Sequence, residues 1–191
     1  MATVSELIKQ ANAQIDDTYD NLQYYTWFQE MLDDISFVLF LPKKVTVAKS
    51  ELGGFPLPAG LKSIISVQSN GMTLGRTSIG SSSSIGYYIL AGEIVVVGVV
   101  VATIEVFYDS TPDKLVQSPT YVPAIPLRYH RMFVLYSAKQ ATLLEDEVAY
   151  EDRYRPYQAE YLTAKAEMAK ESEIEKSMST RSSSTAWVVI R

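Results

Sequence analysis

The sequence predicts an α+β protein: a helical body, made of N-terminal helices and a long C-terminal helical hairpin, with a small antiparallel β domain inserted in it and an extended C-terminal tail. Three observations carry this reading. Apolar residues recur at helical spacing near both ends of the chain, β-branched runs separated by turn residues fill the middle, and a Ser-rich stretch ends in a short apolar segment. At 191 residues and 47% hydrophobic content, the chain is long enough to bury one substantial core or two small ones.

The first helix is expected over 3–14. Thr3 or Ser5 supplies its N-cap, Val4, Leu7, Ile8, Ala11 and Ile15 share one face, and Asp16 and Asp17 end it. A second helix is expected over 22–40, with Trp27, Phe28, Met31, Leu32 and Ile35 in register, Asp33 and Asp34 turned away from that stripe, and Pro42 as the stop.

The pattern then changes. Period-2 or continuous β-branched runs at 45–48, 64–67, 87–90, 93–97 and 99–108 read as strands. Gly53-Gly54, Pro56, Pro58, Gly60, Asn70-Gly71 and Ala91-Gly92 between them are turn chemistry. In the last run Val100, Ala102, Ile104, Val106 and Tyr108 alternate with Val101, Thr103, Glu105 and Phe107, so one face is wholly apolar and the strand belongs inside its sheet. The Ser/Gly segment 78–86 reads as a flexible loop tip. It lacks the strand-to-helix Gly pattern and following Lys of a phosphate cradle. Residues 112–126, with Pro119 and Pro123, form a Pro-punctuated connector back to the helices.

The hairpin follows Pro126. Its first arm, 127–144, turns Tyr129, Met132, Phe133 and Tyr136 inward, and its second covers 147–177. Tyr150, Tyr154, Tyr157, Tyr161, Ala164 and Met168 alternate steps of four and three and form one face of that arm. This spacing marks a packing seam and not a platform for stacked bases, and its hydroxyls are expected at the seam's edge, on solvent or a neighbouring chain. A proline in a helix interior costs about 3 kcal/mol, so Pro156 either kinks the arm or sits in its first turn; the in-phase seam favours a kink. The domains expected are a helical body of 1–42 and 123–176, a β domain with connector of 43–122, and a tail of 177–191.

Several chemistries are excluded by composition. The chain has no cysteine, and His130 is its single histidine, which removes thiolate zinc sites, cysteine nucleophiles and histidine metal clusters. His130 lacks a Ser-His-Asp arrangement and reads as structural. Glu145, Asp146, Glu147, Glu151 and Asp152 form the densest acidic cluster, placed where a helix start favours negative charge, so capping explains them without a cation. No catalytic, cofactor or metal residues are assigned. The N-terminus has neither the basic start nor the apolar core of a secretory signal, which predicts a product that stays in the cytoplasm where it is made. The longest apolar stretch, 94–108, is shorter than the roughly 20 residues of a membrane helix and contains Glu105. A net charge of -5 offers no electrostatic footprint for tight nonspecific nucleic-acid binding.

The tail breaks the compositional rule for disordered ends. Residues 177–185 are polar and of low complexity, and Ala186, Trp187, Val188, Val189 and Ile190, followed by Arg191, are abruptly apolar. A β-competent apolar segment on a Ser-rich leash suits strand addition to a partner's sheet or insertion into a partner's groove.

The order of parts resembles the head-to-tail adaptor (connector) proteins of tailed bacteriophages, of the short-tailed type. The resemblance spans nearly the whole chain. It rests on the opening helix ending at Ile15-Asp16-Asp17, the second helix with Trp27-Phe28 and Leu32-Asp33-Asp34-Ile35, and Ile125-Pro126-Leu127-Arg128-Tyr129-His130 leading into a helix, an acidic turn at Glu145-Asp146 and a Tyr-spaced second helix. It implies a non-enzymatic virion structural protein that forms a ring, usually of about twelve copies, under the portal protein, extends the DNA channel and gives a tail or nozzle protein its platform. DNA would pass through without sequence-specific binding, and no membrane is involved. Ala186 to Arg191 would then be the portal-binding residues. Other readings are another neck or tail component, such as a completion or terminator protein, a helical interaction module unrelated to phage, and an intracellular hydrolase using the carboxylates near Glu147.

Overall fold

A computed structural model describes residues 2–15, 19–51, 53–80, 85–144 and 154–184. The elements are α1 (Val4–Asn12), α2 (Asn21–Ile35), β1 (Pro42–Ala48), β2 (Phe55–Pro56), β3 (Leu61–Ser69), β4 (Met72–Arg76), β5 (Gly86–Leu90), β6 (Glu93–Val97), β7 (Thr103–Ser110), a 3-10 turn (Leu127–Tyr129), α3 (Arg131–Leu144) and α4 (Arg155–Ser184). The protein is α+β and divides into two units, one of 1–39 with 112–173 and one of 40–111 with the chain from 174 onward.

In the helical unit, Thr3 caps α1 in a reciprocal box: its side chain accepts from Glu6 N–H at 3.3 Å while Thr3 N–H donates to the Glu6 carboxylate at 2.9 Å. The orphan N–H groups of Val4 and Ser5 donate to the carbonyls of Tyr121 (2.8 Å) and Pro119 (3.0 Å). Leu115 N–H donates to the Gln29 side chain at 2.9 Å. The Pro-rich connector is therefore irregular but tied to both N-terminal helices. Helix α2 starts on Asp20, which accepts from Gln23 N–H at 2.7 Å, and ends at Ile35 instead of Phe40. The apolar residues beyond Ile35 do not prolong it, because Val38 N–H and Leu39 N–H both turn back to the Ile35 carbonyl.

Val4, Leu7, Ile8 and Ala11 of α1, the anticipated stripe of α2, and Met132, Phe133 and Ala138 of α3 fill the core. Aromatic edges organise it: Tyr24 on Trp27 (5.4 Å between centroids), Phe28 on Phe133 (4.9 Å) and His130 on Phe133 (6.1 Å).

The β unit is one seven-stranded sheet in the order β1-β7-β3-β4-β5-β6-β2. It curls until its edge strands meet, with Ser50 N–H donating to the Gly54 carbonyl at 2.7 Å, so it is nearly closed. Strand β7 is internal, and Ile104, Val106 and Tyr108 face the core with Val47, Phe55, Val67, Leu74 and Ile94. Buried Asp109 accepts from Leu41 N–H at 2.9 Å and pairs with Lys62 at 3.2 Å, pinning both neighbours of β7 at one end. Asn70-Gly71 (φ 50° and 78°) and Ala91-Gly92 (φ 49° and 81°) make two-residue hairpin turns. A left-handed alanine carries a steric cost of roughly 1–2 kcal/mol.

Pairing is antiparallel except between β4 and β5, which run parallel. The 77–85 connection is longer than a two-residue turn, so nothing forces the chain to reverse beside β4. The Ser cluster 81–84 lies outside the described residues. Two strands lacked a sequence signal: β2 is two residues with a proline, and β4 has a single buried side chain, Leu74. The last apolar run enters its strand only at Thr103, after a bend at Gly98 (φ 77°) that leaves Val100 at the surface.

Candidate assembly surface

Helix α4 is 30 residues long, about 45 Å at 1.5 Å per residue, and Pro156 is its second residue, following Tyr154 in π-helical geometry. The kink was expected at Pro156 itself; the residues leading up to it, 145–153, lie outside the described residues, as does the seam's Tyr150. From Tyr154 onward the seam is as the spacing predicts: Tyr161 and Met168 are buried, and Tyr154, Tyr157 and Ala164 are half-buried. Ser172 continues the row one turn on.

The hydroxyls of that seam do not end at its edge. Tyr161, only 2% exposed, donates its O–H to Asp34 Oδ2 at 2.6 Å, and Tyr157 donates to the Gln14 carbonyl at 3.1 Å. Tyrosine is long enough to cross the gap to α2, and a buried hydroxyl needs a partner. Asp34, although 41% exposed, is engaged at both oxygens, since its second oxygen accepts from Lys165 Nζ at 2.8 Å. Lys139 of α3 caps the same cluster, with Nζ 4.0 Å from the Tyr136 ring centroid and 5.2 Å from that of Tyr161, while the two rings meet edge to face at 5.4 Å.

The electrostatics follow from that packing. Burial raises the Asp34 pKa, but the hydrogen bonds from Lys165 and Tyr161 and the charges of Lys165 and Lys139 outweigh it and hold the carboxyl below its ordinary value. Burial, then the Asp34 carboxylate, push the Tyr161 phenol well up. Burial lowers Lys139, against the pull of Asp34 and Glu30. The cluster is an ionised clamp joining α2, α3 and α4.

On the other flank of α4 a groove of about 670 Å³ opens towards α3. Met132 and Leu135, both buried, and Ala159 and Ala164 give it an apolar lining. Its rim is charged. Arg131 holds Glu160 at 2.7 Å, Arg128 holds Glu171 at 2.9 Å, and Glu171 also accepts from Tyr129 Oη.

The residues singled out by sequence fall as follows. His130 is buried, its Nε2 donating to the Ile125 carbonyl at 3.2 Å, and burial holds its pKa below the usual histidine value. It is part of the core. The acidic cluster Glu145, Asp146, Glu147, Glu151 and Asp152 and the tail residues Ala186, Trp187, Val188, Val189, Ile190 and Arg191 lie outside the described residues. Among the described residues no group of three or more His, Asp or Glu is placed to hold a metal ion, and no helix is long and apolar enough to cross a membrane. The clamp itself escaped the sequence reading. Its signal is charge segregation: 10–42 carries acids and no Lys or Arg, whereas 114–144 carries Lys114, Arg128, Arg131 and Lys139 and no acid.

A family model described as SU10 adaptor protein matches residues 2–186 of the chain. No curated protein matches it.

Proposed function

The chain belongs to the SU10 adaptor protein family, the bacteriophage head-to-tail adaptors that its sequence resembles, and from this we propose that it assembles as a ring beneath the portal protein at the neck of the virion. The carrying observation is the match over 2–186, which takes in the helical unit and the β unit together. In this reading the helical body, 1–42 with 123–176, builds the ring and the inserted β domain, 43–122, serves the tail-side or outer contacts.

The ring extends the DNA channel and offers a platform to a tail or nozzle protein. Each copy contributes a net charge of -5, so a ring of copies repels the DNA backbone and the polymer slides without sequence-specific contact. The role is structural and not enzymatic. In the groove, the carboxylates of Glu160 and Glu171 are engaged by arginines, which supports a surface built for packing over one built for acid-base chemistry.

Ala186, Trp187, Val188, Val189, Ile190 and Arg191 bind the portal. Their apolar character on a polar leash supports this, because the ordering entropy is lost only on docking and free copies stay apart until the portal is present. The test is imaging of purified protein mixed with the portal protein of the same genome: an added symmetric layer on portal rings is the expected result, and bare portals at saturating protein overturn the proposal.

A further inference from the structure

We draw no further inference here: the strongest candidate, the apolar surface patch of exposed Met72, Ile85, Val99 and Val100 at the end of the sheet where β4 and β5 begin and β6 finishes, carries nothing, because nothing in the structure shows what covers it.

Discussion

Asp34 and Tyr161 are 127 residues apart in sequence and 2.6 Å apart in the fold, and that bond explains how a helix as polar as α4 is held to the bundle. Replacing Asp34 with alanine strands a buried phenol and removes the counter-charge of Lys165 and Lys139. Because the carboxylate is itself 41% exposed, screening moderates the loss to about 1–2 kcal/mol of unfolding free energy, read from urea titration by far-UV circular dichroism. The acid's role was not legible locally, since Asp33-Asp34 at the rear of an amphipathic helix looks like a solvated pair. The tyrosine row was legible, because helical spacing alone places Tyr157, Tyr161 and Met168 on one face. His130 makes a second prediction at this scale. Its folded pKa lies below the unfolded value of 6.5, so below about pH 6.5 the unfolded chain binds more protons and stability falls as pH falls. His130→Gln is expected to flatten the part of that slope between about pH 7 and 5, seen as a smaller shift of the urea midpoint than in the parent; an equal shift in both proteins contradicts it.

At the scale of elements, sequence pattern worked where a face is strictly periodic and failed where geometry sets the boundary. The stripe of α2 is Tyr24, Trp27, Phe28, Met31, Leu32 and Ile35, but its end depends on the Ile35 carbonyl capturing two later N–H groups, which no propensity records. Five of the seven strands announced themselves by β-branched runs. The parallel pairing of β4 with β5 was invisible, because pairing direction comes from the path of the connection and not from strand composition. The C-terminal tail carries the prediction that belongs here. Deleting 186–191 is expected to leave the melting temperature of the free protein nearly unchanged and to weaken portal attachment by about 2–4 kcal/mol, the range of a buried apolar anchor. Calorimetry of the free protein and titration onto portal rings read the two effects separately, and unchanged attachment contradicts the tail's docking role.

For the whole molecule, the α+β class was readable from composition blocks: helical periodicity, then strands and turns, then helical periodicity again. Closure of the sheet was not, because it depends on β1 and β2 meeting at Ser50 and Gly54, residues with turn character and no strand signal. The same division holds for the assembly surface. Its tyrosine seam is written in spacing, whereas the groove beside it exists only when Met132 and Leu135 of α3 are set opposite Ala159 and Ala164 of α4. The most direct test is electron-microscope imaging of portal rings with and without this protein at saturating concentration. An additional symmetric layer on the portal is the expected result, and portals that remain bare rule out assembly on the portal.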